Sequence, residues 1–301
     1  MMYRHLGRLI GRHLPVRGTD RLLRRLDDPD AGVDHPFLEP FYGFRYPGNL
    51  RRFIDWSVYY YGAYSRYELN LLGALARSLE RSLGRAPVAW DVGANIGHHT
   101  LFLAGCCRRV IAFEPLPEHI ALIEEKVRIN GIDCVTIEPI ALGDADGEVD
   151  IHHPDPAAVN GGTASIHADY DRQNACRSRV PLRRGDTVLR EFGLPPPELV
   201  KIDVEGHEPA VLAGMAEIIA DAAPLLFIET SDYAVKSVAR YGGLATLLGD
   251  AEFYVVSVNR WSGDYRLTPY DGDGGYGDAL LAVPAARRQS IRGGEFGTRL
   301  P

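Results

Sequence analysis

The chain has 301 residues, 46% of them hydrophobic and 24% charged, with a formal net charge of −7, the composition of a soluble globular protein of one or two domains. The acidic balance excludes a dominant nucleic-acid footprint, which takes a basic face or stripe, and no apolar run is long enough for a membrane span or a signal-peptide core. Cys106, Cys107, Cys134 and Cys176 form no C-x-x-C pair, so they predict buried thiols in a reducing compartment, the cytoplasm, rather than a zinc site or a disulfide framework.

Residues 3–14 place Leu6, Leu9, Ile10 and Leu14 on one helical stripe, with Arg4, Arg8, Arg12 and His13 elsewhere. A basic amphipathic helix is able to lie on an anionic membrane, but this stripe is short, and the simpler expectation is a helix that docks on the body of the protein or frays. Residues 27–36 are polar, include Pro29 and Pro36, and predict a linker. From 37 to 67 the chain is dense in aromatics, Trp56, Tyr59, Tyr60, Tyr64 and Tyr67 among them. They are able to stack on an acceptor or on adenine, although packing beside a domain is the simpler account. A helix follows from Tyr67, with Leu69, Leu72, Leu75 and Leu79 on its apolar side, and Glu68 is a candidate lid residue over a cofactor.

Val88, Ala89 and Trp90 lead to Asp91, then to a turn holding Gly93, Ala94, Asn95 and Gly97, then to the helix-compatible run 101–104. Strand, glycine turn and helix in that order make a cofactor cradle, because backbone comes close to the ligand and helix N–H groups face it. Asn95 takes the place of the middle glycine that a dinucleotide pyrophosphate needs. Asp91, two residues before Gly93, would repel a phosphate but accept hydrogen bonds from an ammonium group. Twenty-three residues after Asp91, the run 110–113 ends in Glu114, where a second strand delivers an acid to ribose hydroxyls. S-adenosylmethionine has both of these ends.

Further on, the pattern predicts a helix over 118–130, a strand over 134–140, a turn at Ala141 to Asp144 where adenine would rest, and a strand over 148–152. The polar excursion 153–179 is the expected acceptor-facing loop. Strands over 180–182, 199–202, 225–228, 253–258 and 279–283 and helices over 186–192 and 210–219 complete an alternating α/β pattern. His98 and His99 are expected to face solvent at a helix start.

With these residues in hand, the chain resembles the FkbM family of S-adenosylmethionine-dependent methyltransferases. The matching stretches are 91–97, 112–115, 141–144, 162–166 and 202–208, in the family's order. The resemblance implies a class I, Rossmann-like three-layer α/β sandwich with a seven-stranded sheet, six strands parallel and one antiparallel, over 67–290. Residues 1–66 would be a helical and aromatic extension and 291–301 a disordered tail. It also implies methyl transfer, usually to a hydroxyl oxygen, with the turn 91–97 holding the methionine portion, Glu114 the ribose and Ala141 to Asp144 the adenine edge. Arg184-Gly-Asp-Thr187 departs from the family's usual Leu-Asp-x-Leu.

A sulfonium donor is already activated, so such an enzyme needs chiefly to align its acceptor and exclude water. Asp203, Glu205, His207 and Glu229 fall at the carboxyl ends of strands, where open α/β sheets bind ligands. Asp203 is the candidate beside the sulfonium, and His207 or Glu205 the candidate proton acceptor. The structural alternative is that 205–208 only caps a helix and pairs with Lys201, one of just three lysines beside thirty arginines. Metal ligation by these four groups is a further alternative that their spacing does not require, and no metal is expected. The leading expectation is O-methylation of a sugar, glycan or secondary metabolite, against N-methylation or a non-catalytic binding module that keeps the cofactor fold. The acids Asp91, Glu114 and Asp203 speak against the last.

Overall fold

The computed structural model describes residues 2–13, 18–31, 34–154, 164–167, 176–231, 238–259, 264–270 and 279–292. The chain opens with α1 (Met2–His13) and α2 (Thr19–Leu26), then an antiparallel hairpin of β1 (Pro36–Phe41) and β2 (Phe44–Asn49), then α3 (Phe53–Tyr61). Aromatic packing closes this layer: Trp56 and Tyr60 meet Leu23 and Leu50, and Phe41 and Tyr46 meet Val58, Leu69 and Leu101. The segment expected as a linker is fixed to the body at its start, Asp27. Asp27 is buried and accepts hydrogen bonds from Arg4 at 2.7 and 2.8 Å and from the Tyr60 hydroxyl, while its carbonyl accepts the Trp56 indole N–H at 2.6 Å. A carboxylate with that many donors ties the segment to the body. Helix α1 does dock, but by the face opposite its leucines.

After α4 (Arg66–Leu83) come β3 (Val88–Val92), α5 (His98–Ala104), β4 (Arg109–Phe113), α6 (Pro117–Asn130), β5 (Val135–Glu138), β6 (Ala141–Leu142), β7 (Gly147–His153), β8 (Cys176–Arg183) and α7 (Gly185–Glu191). Then follow β9 (Leu199–Ile202), α8 (Glu208–Gly214), α9 (Ala216–Ala222), β10 (Leu225–Glu229), β11 (Glu252–Asn259), β12 (Asp264–Pro269) and β13 (Ala279–Val283). The main sheet has eight strands in the order β12-β11-β13-β10-β9-β3-β4-β5. Strands β5, β4, β3, β9 and β10 are mutually parallel, and β13 lies antiparallel between β10 and β11. Six strands therefore share a direction with β13 against them, the class I methyltransferase sheet, and β12 is an extra edge strand paired with β11.

Strand alternation builds the two faces. Val88, Trp90 and Val92 join Ile111, Phe113, Val200 and Ile202 under α8 and α9, whereas Ala89, Val110 and Leu199 turn to the face covered by α4 and α5. Burial on both faces explains why these strands read as apolar runs. The helix expected over 210–219 is two helices, α8 and α9, joined at Met215, whose φ of −112° and ψ of 19° leave the helical region. Of the four cysteines Cys107 is buried, the other three are half-buried, and all are free. Among the described residues no helix is long and apolar enough to cross a membrane.

Lys126 on α6 is 1% exposed, with its Nζ 4.6 Å from the centre of the Tyr46 ring and no hydrogen-bond partner among the described residues. Burial lowers its pKa from 10.5 to about 8, against the charge of Asp55. Between these values the unfolded chain holds the proton that the folded chain has lost, so stability should rise with pH across that window. Lys126→Met should stabilise the protein at pH 7 by about 1–3 kcal/mol and remove that rise. Urea unfolding at pH 7 and pH 10 reads both effects; a less stable variant at pH 7 would show that the ring contact outweighs desolvation.

Candidate active site

The cradle is built where β3 ends. Gly93 has φ +78° and donates its N–H to the Phe113 carbonyl at 3.1 Å, and a Cβ there would sit 1.8 Å from the Asp203 carbonyl. Gly93 therefore lets the turn pass against the neighbouring strand end. Gly97, φ +79°, fills a different need: a Cβ there would meet Ile123 of α6 at 2.9 Å. Asn95 between them is also left-handed, and its N–H donates to Glu114 Oε2 at 2.8 Å. The second Glu114 oxygen accepts the Leu116 N–H at 3.0 Å and lies 3.3 Å from His119 Nδ1. One carboxylate thus braces both loops that face the cleft.

Beneath the turn, Asp91 is fully buried and accepts the Thr100 hydroxyl at 2.6 Å. Lys201, 2% exposed, places Nζ 3.5 Å from Asp91 Oδ1 and 3.1 Å from Asp203 Oδ2, and donates to the Gly93 carbonyl at 3.0 Å. Burial opposes its charge, but Asp203 and Asp91 outweigh burial and raise its pKa. Burial likewise works against ionising Asp203, yet Lys201 and the hydrogen bond with Glu229 hold it below the usual carboxylate range. Glu229, desolvated and facing Asp203, is pushed up. The pair therefore keeps one proton, on Glu229, and one negative charge, on Asp203.

The loop after β9 is held from inside. Glu208 is buried and accepts the N–H groups of Val204 and Gly206, each at 3.1 Å. Burial raises its pKa to about 7. Glu208 thus braces the loop ahead of α8, whose N-cap His207 makes no side-chain capping hydrogen bond, and Glu205 and His207 line the cleft. Glu205 is left-handed, with φ +53°, and its carbonyl accepts the Ser165 hydroxyl at 2.7 Å. Non-glycine residues in that region are rare and concentrate at functional sites. His207 Nε2 is buried without a hydrogen-bond partner, and burial, aided by nearby His167 and opposed by Asp144, lowers its pKa to about 4. It is neutral at pH 7.

These loops line a cleft that opens where β3, β4 and β9 end. Of the predicted site residues, Gly93, Asn95, Glu114, Ala141, Asp203, Glu205 and His207 line it together. Glu68, Asp91, Ala94, Gly97 and Asp144 stand outside the lining: Ala94 packs on Ile123, and Asp144 is exposed and accepts the Tyr241 hydroxyl at 2.8 Å. Glu68 Oε2 lies 2.8 Å from His99 Nε2. His98 and His99 are buried, not solvent-facing: Phe41, Tyr46 and Tyr64 pack around the His98 ring, whose Nε2 is 3.0 Å from the Tyr64 carbonyl, and Glu68 of α4 meets His99. Leu116, His119, Ile140 and Ile151, for which the sequence suggests no role, complete the wall together with the strip 164–166 of the expected acceptor-facing loop. The strip also belongs to the stretch 162–166 that carries the family resemblance. Most of the expected acceptor loop, 155–163 and 168–175, lies outside the described residues, and the tail 293–301 likewise. Among the described residues no group of three or more His, Cys, Asp or Glu is arranged to hold a metal ion.

A family model, the methyltransferase FkbM domain, matches residues 91–253, more than half of the chain and all of this site's central loops. The chain belongs to the FkbM methyltransferase family. The chain is 34% identical over 134 residues to the hexuronic acid methyltransferase AglP of Haloferax volcanii, covering 44% of this chain and 51% of that protein. It is also similar to the AMB antimetabolite synthetase AmbE of Pseudomonas aeruginosa, 31% identical over 164 residues, 42% of this chain and 8% of that one. The chain thus spans about half the length of the first and a small part of the second. Among solved structures, the methyltransferase FkbM from Methylobacillus flagellatus KT aligns with 18% identity and a TM-score of 0.42, over 65% of this chain and 43% of that one.

Proposed function

We propose that the chain is an S-adenosylmethionine-dependent O-methyltransferase whose acceptor is a hydroxyl of a sugar, a glycan or a hydroxylated secondary metabolite. One observation carries this reading: a single cleft joins a carboxylate braced at a strand end, Glu114, to an apolar slot of Leu116, Ile140, Leu142, Ile151 and Ile166, and then to the ionised Asp203. That donor set fits a cofactor with a diol, a flat ring and a cationic end. Glu114 would hold the ribose hydroxyls, the apolar slot the adenine, the turn at Gly93 to Asn95 the methionine portion, and Asp203 would face the sulfonium. Asp91 supports the turn from below through Lys201 and Thr100 rather than by contact. Bound there, S-adenosylmethionine supplies an activated methyl group.

The chain's own residues have the remaining work. Lys201 keeps Asp203 charged, and the Glu229 hydroxyl occupies one side of that carboxylate, which fixes where the charge points. His207, neutral, and Glu205 on the same loop line the cleft and are the two groups placed to take the proton of the acceptor hydroxyl. Ser165 draws the strip 164–166 onto Glu205 and helps exclude water. The sugar in AglP's name supports a glycan acceptor. The catalytic unit is read as 67–290 with 1–66 as an extension, and free cysteines suit a cytoplasmic location.

Transfer of labelled methyl from S-adenosylmethionine to a panel of hydroxylated glycans and small metabolites, with the product position read by NMR, tests the reading. Methyl on oxygen supports it; methyl on nitrogen, or no saturable cofactor binding, overturns it. Glu114→Ala should weaken cofactor binding by more than roughly tenfold, the loss of charge-assisted hydrogen bonds to two hydroxyls, as read by isothermal titration. An unchanged dissociation constant would move the ribose site elsewhere.

A further inference from the structure

We propose that the outer face of α1, with the adjoining exposed turn of α2, is a docking surface for an anionic lipid bilayer. The helix sits on the protein by its glycines and arginines. A Cβ on Gly11 would lie 2.6 Å from the Tyr60 carbonyl, and one on Gly7 3.0 Å from the Tyr60 ring. The same side points Arg4 at Asp27 and both Arg8 and Arg12 at Glu39, two acids that are 4% and 7% exposed. Successive residues turn by about 100°, so positions 4, 7, 8, 11 and 12 form one arc and positions 3, 6, 9 and 10 the opposite one. The opposite arc is apolar and faces out: Tyr3, Leu6 and Leu9 are 46%, 59% and 49% exposed, and Leu22 on α2 is 44% exposed. An amphipathic helix normally buries its leucines and solvates its arginines. Here buried acids have captured the arginines, and the leucines are left without cover.

Charge identifies what covers them. The first 28 residues hold seven arginines and three aspartates, a net +4 that leaves −11 for the rest of the chain. Asp20 is paired with Arg24 and Asp27 with Arg4. Arg21 and Arg25 remain exposed, one residue before and three residues after Leu22. An apolar stripe edged by cations matches the depth profile of an anionic leaflet, acyl chains beneath negative headgroups. A second copy of the chain would bring the same positive segment and be repelled. With one short stripe, attachment is reversible and sensitive to salt.

The inference does not depend on the reaction, and its test needs no acceptor. The full-length chain is sedimented with vesicles of phosphatidylcholine containing about a third phosphatidylglycerol, and with pure phosphatidylcholine vesicles. Wild type should pellet with the anionic vesicles and stay in the supernatant with the neutral ones. Leu6→Glu with Leu9→Glu, and separately Arg21→Glu with Arg25→Glu, should each weaken vesicle binding by roughly tenfold or more, with thermal unfolding unchanged because all four side chains are exposed. Three results would overturn the proposal: wild type remaining in the supernatant with anionic vesicles, undiminished binding by the leucine variant, or a dimer in light scattering that the leucine variant dissociates, which would assign the face to a second copy.

Discussion

Gly93→Val should abolish S-adenosylmethionine binding in a protein that still folds. Two costs coincide at this position. A β-branched side chain at φ +78° is in a region that costs roughly 1–2 kcal/mol even for simpler residues, and its Cβ would lie 1.8 Å from the Asp203 carbonyl. That carbonyl is backbone and is unable to rotate aside, so the loops after β3 and β9 must part. They are the two walls of the cleft. The strands beneath them are buried on both faces and should hold, so far-UV circular dichroism should keep its native shape while isothermal titration shows no saturable heat. Gly97→Val should act differently, since its obstacle is Ile123 in the core: stability falls more than affinity does. Near-wild-type affinity in a folded Gly93→Val protein would show that the cradle does not need the close approach.

Lys201→Met should lower stability by about 3–5 kcal/mol, because it strips the cation from two carboxylates, one of them fully buried. For a domain of this size that is a fall in Tm of roughly ten degrees. Lys201→Arg should not rescue it. The ammonium answers Asp91, Asp203 and the Gly93 carbonyl from one point, and a planar fork has no room to do so at 2% exposure. Adding Asp91→Asn to Lys201→Met should recover part of the loss by removing the unpaired charge. Differential scanning calorimetry reads all three variants; a Tm within two degrees of wild type for Lys201→Met would mean that the fold does not depend on this cation.

Position 201 also shows what is legible without coordinates. A lysine kept in a chain where arginine is the common cation is noticeable, and both described lysines, Lys126 and Lys201, turn out to be buried. Strands β3, β4, β9 and β10 were readable because a parallel strand covered on both faces is an unbroken apolar run. The cradle was readable because left-handed turns favour glycine and asparagine. The hairpin of β1 and β2 was hidden by Pro36, Pro40 and Pro47, which usually argue against a strand; they are tolerated here because each strand pairs on one side only. Its turn uses Tyr42 and Gly43, both at positive φ, where asparagine and glycine would have announced it. The outward turn of the α1 leucines was hidden for another reason: the acids that capture its arginines, Asp27 and Glu39, lie in other elements. Burial of His98 and His99 was equally invisible, since it depends on Phe41 and Tyr46 of the hairpin and on Glu68 of α4, all distant in sequence.

The most direct measurement is isothermal titration of the wild-type chain with S-adenosylmethionine and, in parallel, with NAD. One saturable site is expected for S-adenosylmethionine and none for NAD, because Asn95 occupies the place where a pyrophosphate needs glycine and the carboxylate of Asp203 lines the cleft. Saturable binding of NAD, or no binding of S-adenosylmethionine by a folded protein, would contradict it.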